Sequence, residues 1–102
     1  MKRRGARASA DAFEALGFSE REAEHLRVRA GLLLALQETI ARKKLKQAEA
    51  ARILGITQPR VSNLLGGRID LFSTDAHIDF LARLGIGVRL SLHASKKSGR
   101  VA

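Results

Sequence analysis

The stretch that decides the fold is QAEAARILGITQPRVSNLLG, residues 47–66 of a chain of 102. Its spacing of apolar residues predicts two short helices, about Gln47–Leu54 and about Gln58–Leu65. Gly55 falls between them, and glycine suits a tight turn because it adopts a positive φ without steric cost. We therefore expect a pair of helices joined by a glycine turn.

The second of these helices carries strong local signals at its start. Thr57 is placed to cap it, and Pro59 lies in its first turn, where the missing N–H costs nothing. Ala50 and Ala51 are small enough to let the two helices cross closely. The inward-facing apolar positions are Leu54, Ile56, Val61 and Leu64. This arrangement predicts a helix-turn-helix, a motif that places its second helix in the major groove of DNA.

The flanking segments supply further helices to support this motif. A capping-box pattern that begins at Ser19 starts a long helix, which runs to about Lys43. Ser73 or Thr74 caps another helix of about Asp75–Leu84. With one helical turn near the start of the body, the sequence predicts a mainly α bundle of about five helices.

The hydrophobic period changes after the last helix. Ile86, Val88, Leu90 and Leu92 alternate with polar residues or glycine, which predicts a half-buried strand. A single strand has unpaired backbone groups along both edges, and no second strand is evident elsewhere. We therefore expect this C-terminal β-strand to pair across a dimer with its own copy, so that these four residues form the dimerisation surface.

The formal net charge of +9 is unevenly distributed. Residues 27–70, which contain the predicted motif, carry a net charge of +6, whereas residues 11–26 carry −4. A basic surface that coincides with the motif favours a polyanion partner over a merely solvated face.

Three segments are expected from the composition along the chain. Residues 1–10 are interpreted as a flexible basic arm, residues 11–94 as the DNA-binding domain with its dimerisation strand, and residues 95–102 as a flexible basic tail. No stretch approaches the ~20 apolar residues of a membrane span, and no apolar region follows the basic start. Membrane association and secretion are therefore not expected.

The residues needed for metal, redox or catalytic chemistry are missing or scattered. The chain has no cysteine, which excludes disulfides and thiolate zinc sites and fits a cytoplasmic location. His25, His77 and His93 lack metal-ligand spacing, and no catalytic triad pattern or phosphate-binding glycine run is present. We expect no cofactor, no metal and no enzymatic activity.

The quoted residues resemble the repressor-like (Cro/Xre-type) helix-turn-helix family, and within it the short antitoxins of the HigA kind that also act as autorepressors. The resemblance covers about residues 11–92 and rests on Leu45, residues 47–51, 54–62 and 67–72, and the upstream residues 13–18. Lys44 departs from it, since the family often has glycine there, and Lys46 stands where a Thr or Ser cap is usual. The resemblance implies a lambda-repressor-like helix-turn-helix bundle.

A docking similar to that of Cro implies that the start of the second helix faces base edges. The implied base-reading residues are Gln58, Pro59, Arg60, Ser62 and Asn63. Gln and Asn can bond adenine through two atoms, Arg can do so with guanine, and Pro offers an apolar contact. The competing interpretation is a solvated helix face.

Phosphate contacts are implied for residues that flank the two helices. Gln47 resembles the family's phosphate-binding glutamine, although a local backbone cap is equally consistent with its position. The other candidates are Lys43, Lys44, Lys46, Thr57 and Arg68, each of which is alternatively a solvated side chain. Such contacts set register and affinity without reading sequence.

The sequence and the resemblance together predict a homodimeric repressor on a pseudo-palindromic operator in double-stranded DNA. The leading hypothesis adds an antitoxin role, in which the first 25 residues bind a cognate ribonuclease-type toxin. A stand-alone or phage-type regulator without a toxin is the nearest alternative. A protein-interaction module is disfavoured by the polar and basic second helix, and RNA binding by the lack of an aromatic platform.

Overall fold

A computed structural model describes residues 10–94 of the chain. The helices in this part are α1 (Ala10–Ala15), α2 (Glu20–Arg42), α3 (Gln47–Leu54), α4 (Gln58–Leu65), a 3-10 turn at Ile69–Leu71, and α5 (Thr74–Arg83). The bounds of α3 and α4 are those predicted, and the mainly helical bundle is confirmed. The basic arm predicted for residues 1–10, apart from Ala10, and the tail predicted for residues 95–102 lie outside the described residues.

α2 is the longest element and begins with the predicted capping box. The Ser19 hydroxyl accepts from the Glu22 N–H at 3.1 Å, and the Glu22 carboxylate accepts from the Ser19 N–H at 3.0 Å. Further along the helix, Leu33, Leu36 and Ile40 are buried at helical spacing. α2 therefore provides the surface on which α1, α4 and α5 pack.

One apolar cluster joins α2 to the motif and to α5. Ala50 and Ala51 are both buried, and α3 packs on α4. The buried members of the cluster are Leu33, Leu36, Ile40, Ala50, Ala51, Leu54, Val61, Leu64, Phe72, Phe80, Leu81 and Leu84. The helix-turn-helix is thus part of the core and not an appendage to it.

Several helices end in a Schellman motif, in which a residue of positive φ is followed by an N–H that reaches back into the helix. Gly17, Gly67 and Gly85 hold the positive-φ position after α1, α4 and α5. After α2 that position is held by Lys44, with φ +55. The Lys44 N–H donates to the Ala41 carbonyl at 3.0 Å, and the next N–H to that of Ile40 at 3.1 Å. Lys44 is the one residue other than glycine with positive φ among residues 10–94.

The strand predicted from Ile86 to Leu92 is not formed in the single chain, and residues 10–94 contain no strand. The Ile86 N–H donates to the Leu81 carbonyl at 2.8 Å, and its side chain packs against the core of its own chain. Ile86 follows Gly85 in the Schellman motif, where an apolar contact back onto the helix is usual. The alternating pattern therefore begins with a residue that belongs to the end of α5.

His77 on α5 is fully buried beside the core. Its Nδ1 lies 2.8 Å from the Ser73 carbonyl oxygen, which can only accept, so Nδ1 carries the proton. Its Nε2 has no hydrogen-bond partner among the described residues, and its ring meets Phe72 edge to face. Burial lowers the pKa of His77, and the hydrogen bond to Ser73 opposes this only in part.

Lys44→Gly is expected to raise the free energy of unfolding by about 1 kcal/mol, because an L-residue other than glycine is strained at positive φ. Lys43→Gly is the matched control, since Lys43 has the same charge and exposure but a φ of −82°. That control is expected to lower the free energy of unfolding by about 0.5–1 kcal/mol. Urea unfolding monitored by circular dichroism measures both. Equal effects of the two substitutions would contradict the strain at Lys44.

Acidification is expected to destabilise the protein through His77. The pKa of His77 is lowered in the folded state from its ordinary value of 6.5. Well above pH 6.5 the ring is therefore neutral in both the folded and the unfolded state, and protonation of His77 takes nothing from the free energy of unfolding. As the pH falls below that value the unfolded chain takes up the proton first. Stability is then lost until the folded pKa is passed, at up to about 1.4 kcal/mol per pH unit.

Urea unfolding between pH 5 and 8 tests this dependence. His77→Leu should remove much of the slope below pH 6.5, whereas His25→Gln, at an exposed position on α2, should retain it. A slope that survives in His77→Leu would assign the effect to other groups.

Candidate nucleic-acid interface

α4 is held by one face and exposes the rest of its surface. Val61 and Leu64 are fully buried, and the Thr57 hydroxyl accepts from the Arg60 N–H at 3.3 Å, as predicted for the cap. Of the residues predicted to read bases, Gln58, Pro59, Arg60 and Ser62 are exposed, and Asn63 is half-buried. The structure therefore brings these five side chains together on one short, accessible helix.

The turn before α4 has the predicted left-handed glycine. Gly55 has φ +74° and ψ +30°, and its N–H donates to the Ala51 carbonyl at 2.8 Å. Arg83 reaches this turn from α5, donating to the Ile53 carbonyl at 3.5 Å while it pairs with Asp79 at 3.0 Å. The angle between α3 and α4 is thus set by a local backbone conformation and supported from a distant helix.

Lys43, Lys44 and Lys46 lie in the short loop between α2 and α3, and all three are exposed. Gln47, at the first position of α3, is exposed as well. Glu49 supplies the local cap that was an alternative role for Gln47, since its carboxylate accepts from the Lys46 N–H at 2.8 Å. Three cations and a helix N-terminus therefore lie in sequence next to one another, a combination that attracts anions.

Arg68 is exposed after α4, but its charge is partly used within the chain. Its guanidinium donates to the Asp70 carboxylate at 3.4 and 3.5 Å. Hydrogen bonding from Arg68 lowers the pKa of Asp70, so that carboxylate is ionised at neutral pH. A phosphate at Arg68 would have to compete with Asp70, and sequence reasoning missed this partner two residues away.

Arg60 has a different neighbour. The carbon at the centre of its guanidinium lies 4.6 Å from the centroid of the Phe72 ring. Phe72 is 3% exposed and belongs to the core cluster. Sequence reasoning assigned Phe72 no role in the site, and the only available signal was its position at the end of the segment 67–72 that carries the family resemblance.

Two further residues that the sequence did not indicate hold the end of α4 and the 3-10 turn that follows it. Gln37 on α2 donates through Nε2 to the Leu65 carbonyl at 3.1 Å, and Arg29 donates to the Ile69 carbonyl at 3.3 Å. The carbonyls of a last helical turn lack partners within the helix, so such donors both satisfy and orient it. Both contacts connect residues far apart in sequence, which is why no local pattern predicts them.

Within residues 10–94 no helix combines the length and apolar character that crossing a bilayer requires. The same residues contain no group of three or more His, Asp or Glu side chains arranged to hold a metal ion.

Comparisons with known proteins agree with this geometry. A family model described as a helix-turn-helix domain matches residues 15–93. A solved structure named "Putative XRE Family Transcriptional Regulator" is 34% identical, covers 76% of this chain and 86% of its own, and superposes with a TM-score of 0.67. No curated protein matches the chain. The family is non-enzymatic and binds DNA through this motif. The chain therefore belongs to the helix-turn-helix domain family, with a motif of the Cro/Xre type.

Proposed function

We propose that this protein is a sequence-specific transcriptional repressor that binds a pseudo-palindromic operator as a homodimer. The observation that carries the proposal is the exposed polar and basic first turn of α4, held rigidly by Val61 and Leu64 on its buried face. An α-helix fits the major groove of B-DNA, where each base pair presents a distinct pattern of donors and acceptors. Repression follows when the bound dimer covers a promoter, including that of its own gene. Binding to the chromosome implies that the protein acts in the cytoplasm.

The proposed roles divide the interface into base reading and phosphate binding. Arg60 reads guanine, Gln58 and Asn63 read adenine, and Pro59 and Ser62 add apolar and hydroxyl contacts. The phosphate-binding set is Lys43, Lys44, Lys46, Gln47, Thr57 and Arg68. Arg68 contributes least to it, because Asp70 competes for its guanidinium.

The proposed dimer uses the segment after α5. Val88, Leu90 and Leu92 are 40%, 77% and 91% exposed. Apolar side chains in contact with water raise the free energy of the monomer, and pairing with a second copy would bury them. A strand also requires a hydrogen-bonded neighbour, which the same segment of a partner supplies across a two-fold axis. Two recognition helices about 34 Å apart then match one turn of B-DNA.

The antitoxin role is part of the proposal, with a stand-alone or phage-type regulator as its alternative. Residues 11–26 carry a net charge of −4 and expose Leu16 and Phe18, at 75% and 42%. An acidic surface with exposed apolar side chains suits a basic partner, such as a ribonuclease-type toxin that binds RNA. An adjacent gene that encodes a small basic protein which copurifies with this chain supports the antitoxin role, and its absence favours the alternative.

Arg60→Ala is expected to cost about 1–3 kcal/mol of binding free energy on the preferred duplex and to relax preference at one operator position. The reason is the loss of a two-atom contact to a base edge. Fluorescence anisotropy with a duplex selected from a randomised library, and with random duplex, measures both effects.

Lys46→Ala is the matched control, since it also removes one exposed positive charge. It should weaken all duplexes alike and reduce the slope of log affinity against log salt by about one. If Arg60→Ala weakened preferred and random duplex equally, base reading by Arg60 would be wrong. If Lys46→Ala left the slope unchanged, Lys46 would leave the phosphate-binding set.

Leu90→Asp is expected to convert the protein from dimer to monomer in analytical ultracentrifugation and to weaken binding to the full operator, because it places a charge in the proposed strand pairing. Leu16→Asp is the matched control, since Leu16 is 75% exposed against 77% for Leu90. It should leave both measurements unchanged. A wild-type protein that sediments as a monomer at high concentration would refute the dimer.

A further inference from the structure

The guanidinium of Arg60 lies over an aromatic ring and, among residues 10–94, is paired with no carboxylate. It lies 4.6 Å from the Phe72 centroid, a distance at which a cation is attracted to the face of a ring. No hydrogen bond or ion pair joins it to another side chain in the part of the chain that the structure describes. Arg68, in contrast, is held by the Asp70 carboxylate. Arg60 is therefore restrained without any of its N–H donors being consumed by a carboxylate.

The ring that Arg60 contacts is itself fixed. Phe72 meets Phe80 edge to face at 5.7 Å and His77 at 6.1 Å, and only 3% of it is exposed. The 3-10 turn just before Phe72 is held by Arg29, which donates to the Ile69 carbonyl. Phe72 is thus a platform whose position is set by the core and by α2, not by solvent-exposed loops.

Such a platform matters because a free arginine side chain is costly to order. Fixing its rotamers costs conformational entropy, and prior restraint removes part of that cost from binding. A guanidinium that contacts a ring through its face keeps its edge N–H donors available in a planar fork. That fork is the group that bonds O6 and N7 of guanine.

We propose that Phe72 is a positioning residue for DNA recognition: it restrains the Arg60 guanidinium before DNA arrives and so contributes to sequence specificity without touching a base. The inference rests on the proposed function, since it requires that Arg60 reads a base. The contrary case is a stack that competes with DNA, in which Arg60 must leave the ring in order to bind.

A double-mutant cycle tests the proposal with the full chain and the selected duplex. Phe72→Leu should weaken binding to the preferred duplex by about three- to fivefold and leave random duplex unchanged. In the Arg60→Ala background the same substitution should change affinity by less than about twofold, because its effect passes through Arg60. Phe72→Leu that tightens binding, or that acts equally in both backgrounds, would overturn the proposal.

Phe80→Leu is the matched control for lost packing, because Phe80 is also a buried ring of this cluster and makes no recorded contact with Arg60. It should reduce the discrimination between preferred and random duplex by less than Phe72→Leu does, because Phe80 supports Phe72 but has no ring contact with Arg60. A loss of discrimination equal to that of Phe72→Leu would assign the effect to the core and refute a specific role of Phe72.

An NMR measurement on the wild-type protein makes the test independent of how the variants fold. The Arg60 Nε–H resonance should show a ring-current shift that persists in the complex with the preferred duplex. Loss of that shift on binding would show that Arg60 leaves Phe72 and would refute the proposal. Failure of the proposed function is distinguishable, since it would appear as an equal loss on preferred and random duplex in Arg60→Ala alone.

Discussion

The burial of Val61 and Leu64 is the constraint on which the rest of the structure depends. α4 has eight residues, and a helix of that length is not stable by itself in water. It is helical here because these two side chains are fully buried, each contributing about 1.5–3 kcal/mol. The same packing that makes α4 a helix also fixes its direction. Gln37 adds a hydrogen bond at the C-terminal end of α4, where it donates to the carbonyl of Leu65. Any function of the exposed face of α4 therefore depends on the core beneath it.

Local chemistry explains which parts of this fold the sequence predicts. Ser19, Thr57 and Gly55 act on backbone groups within a few residues of themselves, and the structure confirms all three. The strand predicted from Ile86 to Leu92 is not formed in the single chain, and its first residue is ambiguous, because Ile86 satisfies both the alternation of a strand and the apolar position after a Schellman motif. Lys44 was visible as a departure from the family, but its positive φ follows from the helix end that it occupies.

In the candidate site, too, local sequence predicts some features, whereas packing between distant segments decides others. Exposure of the first turn of α4 follows from the spacing of its buried residues, so the sequence predicts it. The difference between Arg60 and Arg68 cannot be predicted from residue type, because both are exposed arginines near the same helix. One is placed on Phe72 by the tertiary fold, and the other is paired with Asp70. Contacts that depend on packing between distant segments leave no periodic signal, and these are the contacts that decide how much charge each arginine can offer to DNA.

The separation of charge along α2 has a consequence for partners. Glu20 begins this helix and Arg42 ends it, about 33 Å apart at 1.5 Å per residue. That distance is roughly four times the Debye length of about 8 Å at physiological salt, so each end is screened from the other. The acidic end therefore adds little repulsion to DNA bound beside the basic loop and α4. A basic protein bound near Glu20 would likewise leave the charges of that loop uncompensated. The charges on α2 therefore allow DNA and a basic protein to bind at the same time. A small chain that binds both partners needs its acidic and basic surfaces separated in this way.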